Sequence, residues 1–486
     1  MMNVKTRFPP SPTGYLHVGS LRTALYNYFF AKKYNGKFLL RIEDTDRERY
    51  VEGAVESLIG TLERMKIDYD EGPVVRNGKI VEKGNNGPYV QSARLEIYKK
   101  YANQLVDSGH AYYCFCSKER LTKLREQQQA IKQTTKYDRN CLKLSAEEIQ
   151  TKLQSGESNV IRMKIPDGKT MFHDEIRGDV TIDNQEIDDQ VLLKADGFPT
   201  YHLAVVVDDY LMGVTHIIRG EEWISSVPKH VILYNWFGFP IPIFAHLPLI
   251  LNPDKTKLSK RQGDVAVEDY LAKGFLEEAL ENFVSLLGFN PTADREIYTR
   301  EELIEHFDLK KINKSGAVFD VNKLLWMNGQ YIKKLSDEDF VSRVKPFLKG
   351  KVEDDILRRI CKIEKSRINL LSDISAVVDS YQSNPVYEKE LLVWKKSDSK
   401  DAKLQLKNIL EFISSIDEIV FNDPQLIEQA ISRYIKDNDL ENGNVLWPLR
   451  VSLSGAERSP SPFELLWVLQ KQESLKRIEH AVKILS

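Results

Sequence analysis

The stretch from Val4 to Ile42 runs strand, helix, strand, and that order restricts the fold more than any other feature of the chain. VKTRF (Val4 to Phe8) reads as a short strand, ended by the proline-dense turn PPSPTG. A helix follows from about Ser20, a residue type that caps helices. Leu21, Ala24, Leu25 and Tyr28 recur on one helical face. FLLRI (Phe38 to Ile42) reads as a buried strand, with Glu43, Asp44, Thr45 and Asp46 at its carboxyl end. A strand that returns through a helix implies a parallel pair with a right-handed crossover. In open α/β sheets the chemistry lies beyond the carboxyl ends of the strands. Both PPSPTG and EDTD fall there.

The rest of the chain adds to this core. From about Cys114 to Glu186 a charged helical stretch gives way to short segments, VIRMKI and DVTID, broken by Pro166, Gly168 and Gly178. This reads as an insertion between two halves of a sheet. The α/β pattern returns with LAVVVDD (Leu203 to Asp209) and HIIRGEEW (His216 to Trp223), then a helix around Val227 to Phe237. After about Tyr331 strand signals stop, and amphipathic helical stretches continue to Ser486, with Pro424, Pro448, Pro460 and Pro462 as breaks. Trp326 and Trp447 read as core residues, and Cys361 as a buried helix residue.

Composition excludes several classes. At 486 residues several domains are expected, and 42% apolar residues suffice for real cores. No apolar run is long enough for a bilayer, and MMNVKTRFPPSP lacks the apolar stretch of a signal peptide. Four cysteines do not suggest a disulfide framework, so a reducing, cytoplasmic setting is expected. A net charge of −2 is no nucleic-acid signature, and an RNA partner would need local basic surface such as Lys118 to Lys143.

Two constellations carry chemistry. The first is Ser11-Pro-Thr13-Gly14-Tyr-Leu-His17-Val-Gly19-Ser20, which opens a helix straight after a strand. Gly14 and Gly19 allow a nucleotide close to the backbone, the helix start offers N–H groups to phosphate oxygens, and His17 adds a donor. The second is Lys257-Leu-Ser259-Lys260-Arg261, in the loop NPDKTKLSKRQGD. Such a loop can close over a triphosphate and neutralise charge as pyrophosphate leaves.

Together these resemble the signature pair of class I aminoacyl-tRNA synthetases, usually written HIGH and KMSKS; here they read HVGS and KLSKR. The segments RFPPSPTGYLHVGSLRTALYNY, FLLRIEDTDRERY, GPYVQSARLEIYKKYA, DGFPTYHLAVVVDD, IIRGEEW, LILNPDKTKLSKR, VFDVNKLLWMNGQYI and PLRVSLSG are similar to the bacterial glutamyl-tRNA synthetase family. The glutaminyl family typically reads EPNG where this chain reads SPTG, lacks an arginine matching Arg219, and has a β-barrel anticodon region.

The resemblance implies a Rossmann-type α/β catalytic domain in two halves (residues 1–113 and 196–265) around an inserted α+β connective, acceptor-end binding domain (114–195). A helical linker domain contacting the tRNA stem (266–334) and an all-helical anticodon-binding region (335–486) complete it. It implies ATP with Mg²⁺, L-glutamate and tRNA(Glu) as substrates, and a monomer without membrane contact. His17, Lys260 and Lys257 are the implied catalytic residues. Ser11, Thr13, Gly14, His17, Gly19, Ser20, Lys257, Ser259, Lys260 and Arg261 would bind ATP. Glutamate would meet Arg7, Ser11, Glu43, Tyr201 and Arg219: an arginine for the side-chain carboxylate, with the Tyr201 hydroxyl beside it, and Glu43 for the α-ammonium. Arg367 falls near a position linked to the third anticodon base.

Cys114 and Cys116 precede Cys141 at a spacing found in zinc-bearing members, where a histidine follows the third cysteine; here that residue is Lys143. Tyr137 and His110 are the remaining candidates for a fourth ligand, neither usual in a closed site. The expectation is three reduced cysteines without metal, with zinc as the alternative.

Overall fold

The structure is a computed structural model and describes residues 4–258 and 265–486. The chain forms two compact units, one of residues 1–271 and 280–321, the other of 272–279 and 322–486.

In the first unit the strand β1 (Lys5–Phe8) pairs in parallel with β2 (Lys37–Leu40), with Lys5 opposite Lys37 and Phe8 opposite Leu40. The helix between them, α1 (Val18–Lys33), is buried on nearly every side, which is why it carries so few charges. Phe29 and Tyr26 pack edge-on against Phe307, and the Tyr26 hydroxyl donates to the carbonyls of Ser285 and Leu287. Each such ring contributes about 1.5–3 kcal/mol of burial. β1 continues the sheet toward the strand His216–Gly220 through a hydrogen bond from Thr215 N to Lys5 O, 2.9 Å. Asn27, fully buried in α1, donates from its side-chain amide to Ile218 O, while its backbone carbonyl accepts from the Thr6 hydroxyl, so one residue ties the helix to both strands.

His216–Gly220 pairs in parallel with Ile243–Leu247, placing Arg219 opposite His246. A single parallel bridge, Phe244 to Asp174, joins this sheet to the antiparallel hairpin Lys169–Asp174 and Gly178–Asp183. The inserted segment also holds its own three-stranded antiparallel sheet, Ala111–Cys114, Val160–Met163 and Val191–Leu193.

Two readings of this unit are corrected. The helix begins at Val18 and its cap is His17, not Ser20: the imidazole Nδ1 accepts from Gly19 N, so the ring performs the work expected of the serine hydroxyl. LAVVVDD is not a strand but part of the helix Tyr201–Leu211. Residues 203–209 of it are all buried, and a short apolar run of β-branched residues looks alike in a buried helix and a buried strand.

The second unit is helical, as expected. Asp337–Val344, Asp354–Glu364, Asp373–Gln382, Ser399–Ser415, Pro424–Asp437, Asn442–Ser454 and Pro462–Ile484 pack around Leu406, Ile409, Ile413, Ile431, Leu449 and Leu466. Asp423 and Ser461 cap helices whose first residues are Pro424 and Pro462, where a missing N–H costs nothing. Pro448 is no break: it sits inside Asn442–Ser454, leaving the Asn444 carbonyl without its helical donor. Cys361 is buried; Trp326 is 46% exposed and is not a core residue. Trp447 is half-buried, its Nε1 donating to Leu391 O. Among the described residues no helix is long and apolar enough to cross a membrane.

Candidate active site

The turn after β1 and the turn after β2 meet. Glu43 N donates to Pro10 O, and Val51 N to Pro12 O, both at 3.0 Å. Gly14 turns the chain with φ of 132°, a value side chains avoid. Ser11 and Thr13 are exposed on this turn, and Ser20 is half-buried in the first turn of α1. The His17 Nδ1 accepts from Gly19 N at 2.9 Å, so in the neutral ring the proton sits on Nε2. A side chain at Gly19 would place its Cβ 3.1 Å from that Nδ1. Val18 N is already given to Val265 O at 2.8 Å. Two of the helix-start amides expected to face phosphate are therefore engaged within the protein.

The basic loop is rooted at the same place. Leu251 bridges Lys257, and Leu258 N donates to Ile250 O. Ile250 Cδ1 would lie 3.8 Å from a Cβ on Gly19. On the far side of the loop Val267 N donates to Leu16 O, and Ala266 bridges His17. Both described flanks thus sit against the start of α1, and the Lys257 side chain is exposed there. Ser259, Lys260 and Arg261 lie outside the described residues.

Beside this, charged groups are buried together. Arg7, on β1, is fully buried; its Nε lies 3.3 Å from Asp209 Oδ1, while its two terminal nitrogens have no hydrogen-bond partner among the described residues. Arg41 donates to Asp209 Oδ1 at 2.7 Å and to Glu43 Oε1 at 2.9 Å. Asp208 accepts from Arg94 Nε, Gln91 Nε2 and the Tyr98 hydroxyl. Burial pushes the Asp209 carboxyl up, but Arg7 and Arg41 outweigh it and hold the group below its ordinary range. Glu43 goes the other way: burial raises it, and Arg41 offsets only part.

Arg219 joins this buried cluster from the neighbouring strand. Its Nη1 donates to the Tyr201 hydroxyl at 2.5 Å and its Nη2 to Trp223 O at 3.4 Å. Trp223 stacks obliquely on Tyr201, ring centres 4.4 Å apart. Burial raises the Tyr201 phenol, which also feels the charges of Arg219, Glu43 and Arg7. Arg7, Glu43, Tyr201 and Arg219 therefore share one site. Sequence reasoning missed Arg41, Asp208 and Asp209. The available signals were one arginine inside the apolar FLLRI and the acid pair ending LAVVVDD.

In the inserted segment the sulfurs of Cys114, Cys116 and Cys141 lie within 4.8 Å of one another. The Tyr137 hydroxyl is 3.4 Å from Cys114 Sγ and 3.3 Å from Cys116 Sγ. His110 is elsewhere, stacked on Trp236. The three sulfurs are zinc-type donors converging on one point, and the Tyr137 phenol stands in the fourth place, where a closed site ordinarily has a cysteine or histidine. In the helical unit Arg367 is half exposed, its Nε 3.9 Å from Glu364.

A nucleotide-style helix start, a basic loop rooted beside it and two buried arginines next to them together define a catalytic domain of the class I synthetase kind. The family described as tRNA synthetases class I (E and Q), catalytic domain, matches residues 3–326, and the anticodon binding domain family matches 339–482. Glutamate–tRNA ligase of Clostridium kluyveri is 46% identical over 99% of this chain and 98% of its own length; that of Clostridium tetani is 46% identical over 99% and 97%. A crystal structure of a glutamate tRNA ligase from Elizabethkingia meningosepticum in complex with its amino acid superimposes with a TM-score of 0.90 at 36% identity, covering both chains fully. The Elizabethkingia anophelis glutamate-tRNA synthetase gives 0.88 at 35% identity, over 99% of this chain and 100% of its own. The chain belongs to the glutamate–tRNA ligase family, with a class I catalytic domain and a C-terminal helical anticodon-binding domain.

Proposed function

We propose that this chain activates L-glutamate with ATP to glutamyl-adenylate and transfers the glutamyl group to the 3′ end of tRNA(Glu). The observation that carries it is Arg7: a buried guanidinium whose two terminal nitrogens have no partner among the described residues, beside Arg219 and Tyr201. A buried cationic fork left unsatisfied is costly unless a ligand pairs it, and a planar carboxylate is its natural match. Arg7, Arg219 and Tyr201 take the side-chain carboxylate; Glu43, with Ser11, takes the α-ammonium.

The nucleophiles belong to the substrates: the α-carboxylate attacks the α-phosphate of ATP, expelling pyrophosphate, and a terminal ribose hydroxyl of tRNA then takes the glutamyl group. The protein positions them and stabilises charge. His17, its ring oriented by Gly19 N, offers Nε2–H to a phosphate oxygen. Lys257 and Lys260 neutralise the leaving pyrophosphate, with Thr13, Gly14, Ser20, Ser259 and Arg261 around the nucleotide. Mg²⁺ enters with ATP as charge neutralisation. Cys114, Cys116, Cys141 and Tyr137 would hold a zinc ion supplying a structural cross-link, apart from the chemistry. Arg367 belongs to the surface that meets the anticodon, and the enzyme works as a cytoplasmic monomer.

Glutamate-dependent pyrophosphate exchange, with tRNA present, tests the reading. Exchange with glutamine in place of glutamate overturns the amino-acid assignment, and no exchange under any condition leaves an RNA-binding protein.

A further inference from the structure

Arg219 is held from behind by a relay that the pocket itself does not use. Its Nε donates to His246 Nε2 at 3.1 Å, its cross-strand neighbour in the parallel ladder. The other ring nitrogen, Nδ1, lies 2.6 Å from Asp174 Oδ2. Both side chains are wholly buried. A guanidinium has only donors, so Nε2 must carry the lone pair and Nδ1 the proton, given to Asp174. Asp174 is itself fixed: Oδ1 accepts from the backbone N–H of Ile176 and Arg177 at 3.0 and 2.9 Å.

The two arginines of the pocket are therefore braced differently. Arg7 rests against the carboxylate of Asp209, which it shares with Arg41. Among the described residues Arg219 has no carboxylate as a hydrogen-bond partner; its Nε faces an uncharged ring, and the acid stands one imidazole further away. Burial keeps His246 below the ordinary histidine range, as it does His202 and His230, which lie against Tyr201. The surroundings of Arg219 are thus polar but uncharged on this side. Its guanidinium is locked in plane while its positive charge is left for something else to neutralise.

We propose that His246 and Asp174 are positioning residues for substrate selection: they set the orientation of Arg219 and leave its charge uncompensated, so that an acidic amino-acid side chain is the group that pairs it. This rests on the reading of Arg219 as a ligand of the glutamate carboxylate. A substrate amide carries no charge and turns its NH2, a donor group, toward a fork of donors at one of its two positions, so the brace favours glutamate over glutamine.

Steady-state aminoacylation by the full chain gives the test, with KM measured separately for glutamate and ATP. His246→Leu should raise KM for glutamate by roughly tenfold, the scale of one charge-assisted hydrogen bond, with KM for ATP unchanged. His246→Gln, which keeps one acceptor and one donor, should restore most of the loss. Asp174→Asn should be as harmful as His246→Leu: the amide donates to Nδ1, moves the ring proton to Nε2 and sets it against Arg219 Nε–H. The proposal is overturned if Asp174→Asn and His246→Leu leave KM for glutamate at its original value while Arg219→Gln raises it. It is equally overturned if His246→Leu raises both KM values alike. If Arg219→Gln itself changes nothing, the carboxylate reading of Arg219 fails and the brace with it. Isotope-labelled histidine in the unmutated protein supplies a check free of folding defects: a His246 protonated on Nε2 rather than Nδ1 refutes the relay.

Discussion

Asp209→Asn is the sharpest probe of the buried charges under the pocket. The side chain is 1% exposed and serves Arg41 at 2.7 Å and Arg7 at 3.3 Å. Arg7, Arg41 and Arg94 are balanced there by Asp208, Asp209 and Glu43, so the substitution leaves one positive charge uncompensated without changing shape. A unit pair at 2.7 Å is worth about 6 kcal/mol at an effective dielectric of ~20. Water and relaxation recover part of that, and breaking one side of a buried pair costs about 3–5 kcal/mol in practice. Against a total stability of about 5–15 kcal/mol this is severe. Urea unfolding followed by fluorescence should show the first transition moved to lower denaturant by that amount. Adding Arg41→Met should recover part of the loss, because it removes the charge left unpaired; the two changes then combine less than additively. A cost of Asp209→Asn under about 1 kcal/mol, or strict additivity in the double variant, would refute the claim that these groups form one balanced set.

Other consequences follow from single positions. Gly19→Ala should cut kcat at least about tenfold with stability unchanged, because the added methyl crowds the His17 ring at 3.1 Å while alanine suits a helix; unaltered turnover would mean the ring is not fixed there. Glu71 is buried, yet donation from Lys5, Asn86 and Tyr89 overcomes the burial and brings its carboxyl down to about 2. Its folded value lies below its unfolded value, so its contribution is full above about pH 4.5 and is lost as pH falls toward 2; Glu71→Gln should flatten the pH dependence of stability in that window, by about 3 kcal/mol in total. Elemental analysis of the protein should find about one zinc per chain, lost in Cys116→Ser together with protease resistance of the inserted segment; a metal-free protein with that segment intact would leave the thiols unligated.

Much of the site was readable in the chain because its signals are local. Arg7 and Arg219 stand near the carboxyl ends of short strands, and the crevice of an open parallel sheet lies beyond those ends. The turn with Gly14, the start of α1 at His17 and the basic loop at Lys257 are likewise marked by residue type within a few positions. The helical character of the second unit follows from its periodicity and from Ser and Asp caps, although Pro448 shows that a proline does not by itself end a helix.

The partners of those residues were decided only by folding. Asp209 lies 202 positions from Arg7 and 168 from Arg41, and Asp174 lies 72 from His246. No propensity or spacing couples groups so far apart; the sheet brings them together, and burial then converts ordinary carboxylates and a histidine into braces. Between Tyr137 and His110, both candidates beside the cysteines on sequence alone, the fold made the choice: the Tyr137 hydroxyl lies against Cys114 and Cys116, while His110 stacks on Trp236. Residues 203–209 show the limit most directly: their β-branched run suits strand or helix equally, and only packing on all sides made it the helix that carries Asp208 and Asp209.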